Sequence, residues 1–215
     1  ALYHKEKTGE GQWIEAALLD GQVAAMSYHG TGFLGTGVEP QRMGSGHPSL
    51  VPYQSFAAAD GYFILGCANQ GLWERMCTAI GHPELLEDSR FVDNTTRVTH
   101  RAECVELLSN IFKLENVSFW VSKIEQGGVP CGPINKVSDV VTDEQVLARN
   151  MVVDIPHPNV PDLKVPNSPL KLTETPPSVR LAPPLLGEHN DDILGEMGYS
   201  MEEITSLREK GVIGG

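Results

Sequence analysis

The sequence predicts a mixed fold: a small α+β domain in the middle of the chain, between two end segments with apolar helix faces and too few strands to build a core. Three observations predict it. Apolar residues recur at helical spacing in several stretches. An Asp60-Gly61 pair separates two short apolar runs, which is a strong hairpin signal. Prolines and glycines crowd residues 38–52 and 156–184, on either side of the central part.

The elements follow in order. Residues 1–12 are polar and finish on the turn Thr8-Gly9-Glu10-Gly11-Gln12. Alternation at Trp13, Ile14, Glu15 and Ala16 predicts a short strand over residues 13–17. Residues 18–33 read as one helix, with Leu18, Leu19, Gln22, Val23, Met26 and Phe33 on one stripe, broken by Gly30, Gly32, Gly35 and Gly37. Residues 38–52 are irregular and long enough for a functional loop or a connection between domains. Residues 53–58 and 62–67 are the hairpin strands. A helix over residues 72–80 closes at Gly81. Asn94 or Thr95 caps a longer helix running to Phe112, and Ser118 opens another through Trp120, Val121 and Ile124 that stops at Gly127-Gly128. Residues 129–135, Val-Pro-Cys-Gly-Pro-Ile-Asn, predict a rigid turn-rich segment. A short helix over residues 143–149 precedes a strand at 151–155 with a partner at 163–165. Prolines then recur so often that residues 156–184 must run extended over a surface. Helices at 189–197 and 201–210 close the chain, and residues 211–215 read as a frayed end. The resulting organisation is 1–37, connecting loop 38–52, small domain 53–155, linker 156–184 and helical return 185–215.

Composition narrows the function. The chain has 215 residues, 40% of them hydrophobic, with 16 Lys+Arg against 28 Asp+Glu, a formal net charge of -12. A net-acidic surface without a basic run repels phosphate backbones, so nucleic acid is not an expected partner. No apolar run approaches the roughly 20 residues that span a bilayer, and residues 1–7 lack the apolar core of a secretory signal. Cys67, Cys77, Cys104 and Cys131 form no Cys-x-x-Cys pair, so no metal site is expected. Scattered thiols read as reduced, which fits a cytoplasmic location, or a mitochondrial one in a eukaryote.

Four blocks then carry a family signature. They are Thr8-Gly9-x-Gly11-Gln12 with Leu18-Leu19-Asp20; Gly46-His47-Pro48-x-x-x-Pro52-Tyr53-Gln54-x-Phe56; residues 128–135, Gly-Val-Pro-Cys-Gly-Pro-Ile-Asn; and residues 182–189, Ala-Pro-Pro-Leu-Leu-Gly-Glu-His. In this order they resemble the C-terminal half of class III coenzyme A transferases, the family of formyl-CoA transferase, carnitine CoA-transferase and methylacyl-CoA racemase. The resemblance implies an α/β fold with an inserted α+β small domain, and a large doubly wound domain only partly present here, its N-terminal half missing. It implies interlocked homodimers, an acyl-CoA and a carboxylic acid as partners, and no membrane. It also implies no permanently bound cofactor, with the coenzyme A thioester as substrate. The family nucleophile is an aspartate matching a position upstream of Ala1, so no catalytic residue is expected within residues 1–215.

The chemistry so implied is transfer of coenzyme A from a succinyl-CoA-like donor to an acid, through an aspartyl anhydride and an enzyme thioester. The alternatives are an acyl-CoA racemase of the same family, or a catalytically incomplete dimer scaffold. The resemblance matches the family's substrate-covering glycine loop to Gly44, Ser45, Gly46 and His47. Glycines there allow close backbone approach and let N–H groups face developing charge. Ser45 and His47 interrupt the glycine run, which argues against formate and oxalate as the native pair. His47 offers a donor to a substrate carboxylate or oxyanion, and Arg42 offers a bidentate contact to a second carboxylate. Against these stand plainer readings: a connecting loop, a histidine bonded to backbone, and a solvated arginine. Cys131 reads as structural rather than nucleophilic, and His189 with Asp191 and Asp192 reads as the start of a helix. Gly35–Gly37 and Gly44–Gly46 do not form a dinucleotide fingerprint.

Overall fold

The computed structural model describes residues 1–214. The chain divides into two compact units, Ala1–Ile134 and from Asn135 onward.

The first unit opens with three exposed helices, α1 (Leu2–Thr8), α2 (Leu18–Ala25) and α3 (Ser27–Thr36). None contains a buried residue. Trp13 and Leu18 are each 91% exposed. The strand expected at residues 13–17 is absent. A strand exists through its ladder, and this segment has no partner edge among the described residues. The single helix expected over 18–33 is two, because Ser27 takes a left-handed φ of 45° and interrupts it.

The sheet is β1 (Tyr53–Ala57), β2 (Tyr62–Gly66) and β3 (Cys131–Pro133), antiparallel in the order β1-β2-β3. Tyr53 pairs with Gly66 and Ala57 with Tyr62 around the Asp60-Gly61 turn, and Cys131 pairs with Leu65. Residues 131–133 are therefore an edge strand rather than only a turn. A proline at an edge, Pro133, leaves no ladder donor unmet. Phe63 and Leu65 point inward while Tyr62 and Ile64 face outward, the alternation of a sheet covered on one side.

The cover comprises α4 (Gln70–Ile80), α5 (Asn94–Thr99), α6 (Arg101–Phe112) and α7 (Val117–Gln126), with a 3-10 turn at Pro83–Leu86. α4 packs on α7, α6 on β1, and α7 on β2 and β3. Asn69 caps α4 through Leu72 N–H at 2.9 Å, and Gly81 ends it at φ 83°. Asp60 in the hairpin accepts from Val117 N–H at 2.8 Å, so one turn also caps α7. The helix expected from Asn94 or Thr95 to Phe112 is α5 and α6, separated at His100, and its N-cap is Asp93, whose carboxylate accepts from Thr96 N–H at 2.8 Å. Asn94 is not free to cap because its side chain bonds the backbone of Ser49 and Val51. The core gathers Phe56, Phe63, Leu65, Trp73, Met76, Leu108, Phe112, Trp120 and Ile124.

All four cysteines are free thiols. Burial pushes Cys67 and Cys104 up to about 12 and raises Cys77 as well. The thiolate is the reactive form. Iodoacetamide at pH 8 is therefore expected to leave these three unmodified in the native protein and to alkylate all three in urea. Rapid native labelling of any of them, read by peptide mass, would contradict their burial.

The second unit holds α8 (Val137–Thr142), α9 (Glu144–Ala148), the antiparallel pair β4 (Val152–Asp154) and β5 (Lys164–Pro166), α10 (Asn190–Glu196) and α11 (Met201–Glu209). Residues 167–184 carry neither helix nor strand, as their prolines predict. Asp143 caps α9 from 2.9 Å. Ser200 and Glu203 cap α11 reciprocally. Arg208 joins α11 to Asp191 of α10 at 2.8 Å. Of the expected frayed end, Gly215 lies outside the described residues, while Val212 N–H still bonds Leu207 C=O at 3.0 Å. No helix among the described residues is long and apolar enough to cross a membrane.

Candidate active site

The glycine loop is a built structure. Gly46 N–H donates to Met43 C=O at 2.9 Å, closing a turn whose first central residue, Gly44, has φ 60°. A turn with left-handed backbone at that position requires glycine. A Cβ on Gly46 would meet the Met43 carbonyl at 3.0 Å, so glycine is needed there for space. Two anchors tie the turn to β1. Ser45 Oγ accepts from Ser55 N–H at 3.1 Å, and His47 N–H donates to Tyr53 C=O at 3.0 Å. The irregular stretch thus runs as a pinned extension of the hairpin.

A cavity of about 350 Å³ opens between this loop and the start of α3. Tyr28 and His29 line one side; Gln41, Met43, Gly44, Ser45, Gly46, His47, Pro48 and Tyr53 line the rest. The His47 ring lies 6.4 Å from Tyr28, nearly parallel at 17°, and 5.4 Å from Tyr53. Tyr28 and His29 rings are 4.2 Å apart.

The tautomer of His47 follows from its partner. Ser49 N–H lies 3.2 Å from Nδ1, and a backbone N–H can only donate, so Nδ1 accepts. The neutral ring then carries its proton on Nε2 and is a donor there. The lining contains no carboxylate and no thiol, and the hydroxyl of Ser45 is engaged with Ser55 at 2.7 Å. The cavity offers neither a carboxylate nor a thiol as an attacking group.

Gly44, Ser45, Gly46 and His47 therefore come together in one wall. Arg42 does not join them: it is exposed and outside the lining. Cys131 is half-buried, its thiol directed to Val121 C=O at 3.6 Å and pushed up to about 11 by burial. Asp191 is committed to Arg208, so His189, Asp191 and Asp192 form no reactive cluster. No group of three His, Cys, Asp or Glu side chains among the described residues could hold a metal ion. The sequence reading missed Tyr28 and His29. Nothing in the sequence set them apart, since the same helix also carries Ser27, Thr31 and Thr36.

Residues 1–190 match the model of CoA-transferase family III. The chain belongs to that family. Among family III relatives, it is 37% identical over 213 residues to human succinyl-CoA:glutarate CoA-transferase, covering 99% of this chain and 49% of that protein. It is 34% identical to succinate–glutarate CoA-transferase of Agrobacterium fabrum, over 92% of this chain and 49% of the relative. In structure it superposes on a CAIB/BAIF family protein from Brucella suis with a TM-score of 0.76 at 34% identity, covering 91% of this chain and 50% of that one. The chain spans about half the length of the curated relatives it matches.

Proposed function

We propose that the protein containing this chain transfers coenzyme A from succinyl-CoA, or a similar acyl-CoA, to a dicarboxylic acid, and that residues 41–53 cover the reacting carboxylate. The observation that carries this reading is the cavity: the glycine loop and His47, whose neutral ring keeps Nε2–H as its donor, line it, and no carboxylate or thiol does. Relatives named for succinyl-CoA with glutarate or mesaconate support the substrate class.

In this reading an aspartate outside residues 1–215 attacks the thioester carbonyl. The C–S bond breaks, coenzyme A leaves as thiolate, and a mixed anhydride remains. The thiolate attacks the aspartyl carbonyl and releases succinate. The incoming acid repeats the two steps in reverse and frees the aspartate. No net proton or electron is exchanged. Anhydride and thioester both hydrolyse, so a loop fixed to β1 that excludes water serves the chemistry. His47 stabilises the oxygen on which negative charge collects. Residues 1–37 and 185–215 belong, on the same reading, to a doubly wound large domain completed by the rest of the protein and assembled as a homodimer.

The full-length protein incubated with succinyl-CoA and a panel of acids is expected to form glutaryl-CoA in preference to formyl-CoA or acetyl-CoA, followed by mass. Absence of exchange with every acid, together with exchange of the α-proton of an acyl-CoA, would replace this reading with a racemase.

A further inference from the structure

The reversal that brings His47 opposite Tyr53 runs through residues 48–52, and the carbonyls of Pro48, Ser49 and Val51 are taken up by side chains of α5 and α6. Arg101 Nη2 donates to Pro48 C=O at 2.8 Å. Asn94 Nδ2 donates to Ser49 C=O at 2.9 Å, and its Oδ1 accepts from Val51 N–H at 3.3 Å. Arg97 Nε donates to Val51 C=O at 2.7 Å. Arg97 is fully buried, its guanidinium 4.6 Å from the centre of the Trp73 ring, and no carboxylate among the described residues pairs with it. A buried, unpaired guanidinium is costly. What it supplies here is a planar fork reaching three separate segments, since Nη1 also bonds Gln70 Oε1 at 3.0 Å and Phe91 C=O at 2.8 Å.

One of these contacts reaches the imidazole through a single peptide group. Pro48 C=O and Ser49 N–H are the two ends of a single peptide group. Arg101 holds the oxygen end, and the hydrogen end donates to His47 Nδ1. Hydrogen bonds in series polarise one another, so a cationic donor on the oxygen strengthens the N–H as a donor. Asn94 braces the next carbonyl along, which fixes the tilt of that peptide. Arg101 has no ion-pair partner among the described residues, so its charge is not claimed elsewhere.

We infer that Arg101, braced by Asn94, is a positioning residue that acts through the Pro48–Ser49 peptide to hold His47 as its Nε2–H tautomer in the cavity wall. Nothing in the glycine loop itself supplies this. The relay comes from the helices α5 and α6, from residues 45 and 53 positions along the chain from the carbonyls they bind.

The test uses the full-length protein labelled with ¹⁵N-histidine, with His47 assigned by its loss in His47→Gln. The wild type is expected to show separate pyridine-like Nδ1 and pyrrole-like Nε2 signals for His47. Arg101→Ala and Asn94→Ala are expected to collapse them toward a tautomer average, and Arg101→Lys, which keeps a charged donor, to restore most of the separation. Unchanged His47 nitrogen shifts in Arg101→Ala would overturn the inference. The kinetic arm rests on the transfer reading above. There, Arg101→Ala is expected to lower kcat by about 10- to 100-fold with the acyl-CoA KM little altered. In a His47→Ala background the same substitution is expected to add no further loss of kcat. Equal losses in both backgrounds would mean that Arg101 serves only stability. If His47→Ala itself leaves transfer intact, the transfer role of His47 fails, while the nitrogen shifts still decide the relay.

Discussion

Replacing Phe112 with alanine is expected to lower the stability of the first compact unit by about 3–5 kcal/mol, the range for deleting a large aromatic from a packed core. Phe112 is fully buried at the end of α6. Its ring meets Phe56 at 5.1 Å, Phe63 at 5.0 Å and Trp120 at 5.3 Å, each close to edge-on. Edge-to-face aromatic pairs add to the burial of area alone. Its carbonyl also accepts from Trp120 Nε1–H at 2.7 Å, so the backbone of α6 and the side chain of α7 are locked at the same point. Two strands and two helices therefore share one ring. Urea unfolding of the full-length protein, followed by tryptophan fluorescence, should show the midpoint fall with an unchanged m value. Phe119→Ala is the comparison: it also sits on α7 and also touches Trp120, but is 38% exposed. Its loss is expected to be roughly 1 kcal/mol or less. Equal shifts for the two would mean that Phe112 is not the junction described.

The elements that the sequence made legible are those whose cause is local. Asp60-Gly61 dictates its turn from within four residues, Gly81 stops α4 by its own left-handed backbone, and the prolines after residue 166 forbid regular structure wherever they are placed. The elements that were not legible are decided by distant partners. Cys131-Gly132-Pro133 has no strand pattern of its own and becomes β3 only because β2 offers an open edge. The cap of α5 moves to Asp93 because Asn94 is drawn away by the loop at Ser49 and Val51. Residues 13–17 have strand composition but no edge to join.

The same division runs through the site. Gly44, Ser45, Gly46 and His47 could be singled out from composition and resemblance, because the turn needs glycine at particular positions. Tyr28 and His29 could not, because a helix kink at Ser27 decides which way they face. Arg101 could not either: its role is a contact with Pro48, 53 residues away in the chain.

If the protein transfers CoA as proposed, His47→Ala is expected to lower kcat by about 10²- to 10³-fold, the cost of removing one preorganised donor from a developing negative charge. The geometry argues for a donor role over a proton-shuttling one. Nδ1 is occupied by Ser49 N–H, so only Nε2 is left to act, and in the neutral ring it already bears a hydrogen. The transfer chemistry needs no proton moved, so a fixed N–H suffices. His47→Gln tests the distinction, since a carboxamide can donate from a similar reach and cannot act as a base at neutral pH. It is expected to recover at least about tenfold of the alanine loss, a fraction of one donor's full contribution. The surrounding wall should survive either change, because the backbone N–H of residue 47 still bonds Tyr53 C=O and Ser45 still bonds Ser55. An unchanged unfolding midpoint in both variants checks that. If glutamine is as inactive as alanine while both remain folded, His47 works through its basicity and the oxyanion role is wrong. If alanine is as active as the wild type, the cavity between α3 and the glycine loop is not where charge develops.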